Sequence, residues 1–588
     1  MGTISDKLMR IINTKEDIRQ ALISKGYDVP TSIPFKEYAK MISDLPCRVD
    51  SFPDIEGVVA RYSALGLTNE QMATNPVWVD KTGNGHDLQM KNFFWGGMSG
   101  VGGYVQDFNY FKNNATVDKI RIDEQNSNSI KVTILTTGIG NAIYIPKNIY
   151  QFNKSYFIKI SSEGYDEGDM ALSFYAPSTS TATTVTVSLN PNGVTEIPAI
   201  KEDDFLAVYI NVSGKVGSFT VEQLPLYPGA LVFDGVDDWA GCDNLPLLPK
   251  EKGYSIIALR NWITRYDATK YKRPLISNLD TNDEGAFLIE YRKDENVNDV
   301  TGSYNSFTDV YIDDNNPITW QTSSSYNGQI IKKGTSKSTN KLCICKTYFG
   351  QLSNYANAAI WEIVILDHDA TEEELTKIKD YFVKTYPWLF PDQAWTVTGK
   401  TNEDEDRATI ANITGNGNDL VLSNFGFAEG SGYNEEGEYA GYLVTDGVDD
   451  MITSSAFNIG KDFTIVGDWK FIDNKKSGTG LVKGSSFYIY NTMIGLDLYI
   501  NSGSVKNSLD GIKSINAACS DGRAYDRNWN EILANTGNVV GSGGILEVSS
   551  SGGRFDRIAF KNLAIYPRIL SKDDCIKAYN YLQTLKSK

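Results

Sequence analysis

The chain has 588 residues, 41% of them apolar and 22% charged, with 56 basic and 73 acidic side chains and a formal net charge of −17. At roughly 100–200 residues per domain this length predicts three to five domains, and the negative field excludes a nucleic-acid backbone as partner. Two histidines and no C-x-x-C exclude a zinc site of the usual kind, and the six cysteines are expected as reduced, buried thiols.

In chain order, Ile4, Leu8, Ile11, Ile12, Ile18 and Leu22 have the one-faced spacing of an amphipathic helix, which Gly26 can end. A second short helix is expected from Phe35 to Ser43, closed by Pro46. A hairpin of this size buries little by itself, so residues 1–50 are expected either to pack on the next domain or to dock on a partner or on sister chains. Residues 1–10 lack the apolar stretch of a secretory signal, and no run of 18 apolar residues predicts a membrane span. The run Thr14-Lys15-Glu16-Asp17-Ile18-Arg19-Gln20-Ala21-Leu22, followed by Lys25-Gly26, Ile33-Pro34-Phe35 and Tyr38-Ala39, resembles a segment that opens tail, baseplate and fibre proteins of tailed phages. The resemblance implies a virion location, docking to other virion proteins and a homotrimer.

Beyond residue 50 the chain repeats itself. TGNGHDL at 82–88 returns as TGNGNDL at 414–420, each followed by Asn-Phe (Asn92-Phe93 and Asn424-Phe425). LVFDGVDD at 231–238 returns as LVTDGVDD at 443–450. Each copy then closes on an apolar strand (Ile363–Leu366, Leu563–Tyr566) and a helix, expected at 371–386 and 571–585 behind the capping residues Thr371 and Ser571. Trp78 and Asp80 of the first copy become Ile410 and Asn412 in the second, which predicts a weaker or displaced opening strand there.

Thr82 lies 152 residues before Asp234, but Thr414 lies only 32 before Asp446. The surplus places an inserted domain at 106–226. Its alternating runs, such as Ser129–Ile134 and Thr183–Leu189, predict a small β-sandwich.

Thr-Gly-Asn-Gly predicts a tight hairpin turn of type I′. In DGVDD, the carboxylates Asp234, Asp237 and Asp238, and Asp446, Asp449 and Asp450, can cap backbone amides in a turn. They could also hold Ca²⁺ together with backbone carbonyls; the turn role is the preferred expectation, and no other cofactor is expected. The exposed-ring candidates for ligand contact are Phe94, Trp95 and Tyr104, set in a glycine-rich stretch. Asp309 and Asp313 are the nearest approach to a same-face carboxylate pair, but the Asp-Asn-Asn-Pro that follows makes Asp313 a turn residue. His86 gives way to Asn418 in the second copy. No catalytic residue is therefore assigned.

The order TGNG-x-DL, DGVDD, closing strand and capped helix resembles the concanavalin-like, laminin-G-like jelly-roll family. The resemblance implies antiparallel sandwiches, many of which bind glycans and some of which hold Ca²⁺. The expected fold is mainly β: a helical segment over 1–50, a first jelly roll over 51–390 (discontinuous, 51–105 and 227–390), an inserted β-sandwich over 106–226, and a second jelly roll over 391–588. The expected function is a non-enzymatic virion fibre or appendage protein in contact with host-surface glycans. The alternatives are a bacterial surface or secreted glycan-binding protein and, behind it, a polysaccharide-degrading enzyme.

Overall fold

The computed structural model describes residues 52–588 apart from 115–117, 139–141, 249–253, 264–271, 279–287, 293–307, 310–317, 323–339, 351–353, 436, 438, 474–478, 484–486, 492–494, 501–507, 511–514, 534–541, 549, 552–553 and 588. The expected helical hairpin of 1–50, with its docking role, lies outside the described residues. So does Asp313, and Asp309 is described only as strand backbone. Phe52–Ile55 and Glu373–Tyr381 fall in one compact unit, where the Phe52 ring meets Tyr381 edge-on at 5.2 Å. Residues 56–372 and 382–588 form the other.

The architecture of this larger unit is mainly β, in several sheets. One sheet runs Ile318–Thr322, Ser255–Trp262, Asn357–Leu366, Leu231–Asp234, Gly100–Val101, with Val58–Ser63 beside the second half of Asn357–Leu366. Its companion runs Val77–Trp78, Leu88–Lys91, Trp239–Cys242, Leu342–Ile344, Lys272–Ser277, Leu288–Arg292, Thr308–Asp309. Apolar side chains of both sheets, among them Tyr62, Phe233, Ile256 and Ile363 on one and Trp78, Leu88, Ile276 and Ile344 on the other, make one core.

The chain then builds the same order again. Ile515–Cys519, Thr464–Asp473, Arg557–Tyr566, Tyr442–Val444 and Gly432–Asn434 follow one another, with Gln393–Thr396 beside Arg557–Tyr566. In the companion sheet Thr409–Ile410, Leu420–Ser423, Met451–Ile459, Ser542–Val548, Thr479–Lys483 and Phe487–Asn491 match the first copy strand for strand. The second copy's opening strand is neither weaker nor displaced. Thr409–Ile410 pairs as Val77–Trp78 does, and Ile410 fills the inward position of Trp78, both fully buried.

Asn357–Leu366 is apolar nearly throughout because both of its faces are covered. Ile363 and Ile365 enter the core between the sheets. On the other face the Trp361 indole donates to the Pro228 carbonyl at 2.8 Å and meets Tyr581 edge-on. Glu362 interrupts this run and is fully buried; its carboxylate accepts from the Arg61 guanidinium at 2.6 Å.

Strands of the 106–226 stretch pair only with one another among the described residues. Val185–Ser188, Met170–Tyr175, Ala207–Val212, Ala142–Pro146 and Lys112–Asn113 form one sheet, and Val194–Ile197, Tyr156–Glu163, Gly217–Gln223, Ser129–Ile134 and Ile120–Gln125 the other. Ser129–Ile134 shows why: Ile130, Val132 and Ile134 alternate with polar residues and point into a core shared with Ile143, Leu172 and Val208 of the opposite sheet. The two ends of the stretch are clasped by a buried pair. The Gln106 amide donates to Gln223 Oε1 and Gln223 Nε2 donates to the Gln106 carbonyl, both at 2.9 Å.

Among the described residues three α-helices accompany the strands: α1 (Asn69–Thr74), α2 (Glu372–Thr385) and α3 (Lys572–Thr584). At the start of α3, Ser571 Oγ accepts from the Asp574 amide at 3.1 Å, the expected cap, and its hydroxyl donates to Asp574 Oδ2 at 2.7 Å.

Candidate functional site

The repeated motifs converge on two polar turns in each copy. In the opening turn, Asp80 Oδ1 accepts from the Arg61 amide at 3.1 Å and from the Thr82 amide at 3.0 Å. In the second copy Asn412 Oδ1 accepts from Ala394 at 3.2 Å and Thr414 at 3.0 Å, so the uncharged isostere keeps the two corresponding partners. The turn is not of type I′: Gly83 and Gly85, and Gly415 and Gly417, have positive φ, while the Asn between them does not. The threonine hydroxyl explains this, since it accepts the amide of that Asn at 3.2 and 3.3 Å and draws the loop into a side-chain-capped bend.

The second turn is DGVDD. Asp234 Oδ1 accepts from the amides of Val236, Asp237 and Asp238 at 2.7, 3.3 and 3.4 Å, and Asp238 Oδ2 accepts from the Asp234 amide at 3.1 Å. Asp446 Oδ1 accepts from Val448 and Asp449 at 2.7 and 3.3 Å, and Asp450 Oδ2 from the Asp446 amide at 2.7 Å. Gly235 (φ +76°) makes the bend possible; a Cβ there would stand 2.7 Å from Asn357 Cβ.

Around each turn stand the asparagine of the repeated Asn-Phe pair and further residues, Ser99, Ser431, Asn69 and Asn402, that the motifs did not single out. Asn92 Nδ2 donates to the Asp237 carbonyl at 3.0 Å, and Asn424 Nδ2 to that of Asp449 at 2.9 Å. Ser431 Oγ donates to Asp450 Oδ1 at 3.1 Å and accepts from the Gly426 amide, as Ser99 Oγ accepts from Phe94. Asn69 and Asn402 each clamp the strand that follows, accepting from Val101 and Tyr433 at 2.7 and 2.8 Å. The signal was present: Ser99 and Ser431 stand at one distance behind the Asn-Phe pair in both copies.

One carboxylate oxygen from each of Asp234, Asp237 and Asp238 lies within 4.8 Å of the others, and the same holds for Asp446, Asp449 and Asp450. These are candidate divalent-cation sites, and Ca²⁺ suits their all-oxygen donors. Asp238 and Asp450 are fully buried. Burial, reinforced by the Asp234 charge, pushes the Asp238 carboxyl up to about 7. Burial likewise pushes Asp450 up to about 6, against the amide and hydroxyl donors that favour its charged form.

The three aromatic candidates do not form one platform. Phe94 is 61% exposed. Trp95 turns inward, stacked on Phe93 at 4.8 Å against the core between the sheets. Tyr104 is buried, which corrects its assignment as a ligand contact: its ring packs close to Gly102, whose other neighbour is Pro225 at the far end of the insertion. The second copy covers Phe425 and Tyr433 as well.

No family model matches the chain, and no curated protein does. Among solved structures, Trypanosoma rangeli sialidase in complex with sialic acid aligns over 84% of this chain and 98% of its own, at 10% identity and a TM-score of 0.24. A mutant of that sialidase displaying trans-sialidase activity aligns over 40% of this chain at 10% identity and a TM-score of 0.22, and the chain spans 42% of its length. The CBM22 tandem domain of Paenibacillus barcinonensis Xyn10C aligns over 47% of this chain and 94% of its own, at 9% identity and a TM-score of 0.14. Likeness at this level carries no weight for fold or function.

Proposed function

We propose that this chain is a non-catalytic structural protein of a virion appendage, with two concanavalin-like, laminin-G-like jelly rolls and an inserted sandwich, that meets host-surface glycans. The observation behind the non-catalytic half is the repetition itself. The same two-sheet unit is built twice, and its recurring carboxylates and amides hold the same backbone amides in both copies. Chemistry common to both copies is thus architectural, and Asp234 and Asp446 serve as turn anchors. The virion half rests on the N-terminal resemblance, and the trimer and its docking partners rest on it too.

Mass spectrometry of purified virions tests the location, with the chain expected in intact particles. A chain found only on a cell envelope overturns the virion reading in favour of a bacterial glycan-binding protein. Incubation with bacterial polysaccharides is expected to release no new reducing ends; steady release would make it an enzyme. Solution mass measurement is expected to give a trimer for the full chain and a smaller species for one that starts near Ser51.

A further inference from the structure

A cleft of about 420 Å³ lies where the insertion meets the second copy. Lys159, Asn192 and Pro225 line it from one side, and Trp529, Lys572 and Asn580 from the other. Two features set it apart from an ordinary crevice. Trp529 and Asn580 are 1% and 3% exposed, yet Trp529 Nε1 and Asn580 Oδ1 have no hydrogen-bond partner. Buried polar atoms are nearly always paired, so a donor and an acceptor left open beside one cavity point to a ligand that supplies the missing groups. Trp529 is also held in the left-handed region (φ +60°), fixed by Asp526 Oδ1, which accepts from Asn528 and Asn530 at 2.8 Å each. Its ring is braced edge-on by Tyr579 at 5.6 Å.

Charge narrows the ligand. The chain is strongly acidic, but the cleft carries Lys159, Lys572 and Lys577 against Asp573 alone. Lys577 already pairs with Asp574 at 3.2 Å, whereas Lys159 and Lys572 are exposed and no salt bridge among the described residues engages them. The first turn of α3 borders the cleft, and its positive helix end adds to the same field. Apolar walls from Ile160, Val194 and Ile576 complete a surface that suits a sugar ring with a charged substituent.

We propose that this cleft binds a carboxylate-bearing saccharide unit, with Lys159 and Lys572 meeting the carboxylate and Trp529 Nε1 and Asn580 Oδ1 meeting ring hydroxyls. The ligand class rests on the glycan-contact reading above; the site does not. Calorimetric titration of the full chain with a galacturonic acid tetrasaccharide is the test, with the neutral galactose tetrasaccharide as control. Binding is expected for the acidic sugar, at least tenfold weaker binding for the neutral one, and weakening with salt. Lys159→Ala with Lys572→Ala, both exposed and harmless to the fold, is expected to lower affinity at least tenfold. Trp529→Phe, which keeps a ring and removes the N–H, is expected to lower it severalfold with an unchanged circular dichroism spectrum. Wild-type affinity in the double lysine variant overturns the site while glycan binding stands. No titration with the acidic sugar also overturns it, and a glycan array then separates the two ideas: signal from other glycans leaves the reading intact, and a blank array removes both.

Discussion

Individual carboxylates in this chain have assignable tasks, and two predictions follow from them. Asp234→Ala leaves three backbone amides without their acceptor. The loss expected is about 1–2 kcal/mol, read as a lower urea midpoint, and Asp446→Ala is expected to behave alike. A change below about 0.3 kcal/mol in both would show that water serves the amides equally well. The second prediction concerns pH. Asp238 titrates at about 7 in the fold, against roughly 3.9 in an unfolded chain. Between those values the native state holds the extra proton, so stability falls as pH rises through this window and levels off above it. Three units correspond to roughly 4 kcal/mol as an upper bound, and Asp450 adds a smaller contribution of the same sign. A cation binds the ionised form, so Ca²⁺ is expected to raise the melting temperature near pH 7.5 and to have little effect near pH 5. Melts with Ca²⁺ or chelator at both pH values check this; a Ca²⁺ effect of equal size at both would rule out these carboxylates as the ligands.

Among the elements, the strand pair Val58–Ser63 and Asn357–Leu366 of the first copy holds a buried ion pair that the second copy lacks. Arg61 and Glu362 are 5% and 0% exposed in their side chains and bridge at 2.6 Å, while the second copy has Ala394 and Asn562 in the corresponding register. Arg61→Ala is expected to cost about 3–5 kcal/mol by removing the guanidinium that bridges a fully buried carboxylate. Adding Glu362→Asn, which copies the second repeat, is expected to restore most of that in urea unfolding. If the double variant were no more stable than the single one, the ion pair would not be the source of the loss. The closing strands and helices were legible in the sequence: expected at 371–386 and 571–585, the helices run Glu372–Thr385 and Lys572–Thr584. The ion pair was not, because Glu362 in an apolar run reads only as an interruption and its partner is 301 positions away. Nor could local pattern tell exposed Phe94 from buried Tyr104, since the Tyr104 ring comes against Gly102 beside Pro225, a residue from across the whole insertion.

For the molecule as a whole, the unequal spacing of the two repeats marks 106–226 as surplus sequence, and the described strands of that stretch pair only with one another. What spacing could not show is where that insertion rests. Its Glu196 pairs with Arg527 at 3.1 Å, its Phe157 meets Tyr579 edge-on at 5.3 Å, and Asn580 Nδ2 donates to the Pro225 carbonyl at 3.2 Å. The insertion therefore supports the second copy from inside the first. Its own autonomy is a separate matter, decided by its closure. The Gln106 and Gln223 side chains and backbones bond reciprocally, with both residues fully buried, and Gln106 Oε1 also accepts from the Gln151 amide at 2.9 Å. Just outside this clasp the flanking chains run together, with Leu226 and Tyr227 amides donating to the Gly103 and Gly102 carbonyls at 2.9 and 2.8 Å. Ends fixed so close let an inserted domain fold without its host. A fragment of residues 104–226 is expected to unfold in one sigmoidal urea transition, followed by circular dichroism. Gln223→Ala in that fragment strips partners from the buried amide and carbonyl of Gln106, and is expected to cost about 2–3 kcal/mol. The full chain with 107–222 replaced by a short Gly-Ser linker is expected to stay folded but melt at a lower temperature, since Tyr579 and Arg527 lose their partners. A fragment without a cooperative transition would show that the insertion depends on its neighbours, and a shortened chain that melts like the full one would show that the contacts at Glu196 and Phe157 contribute nothing to the second copy.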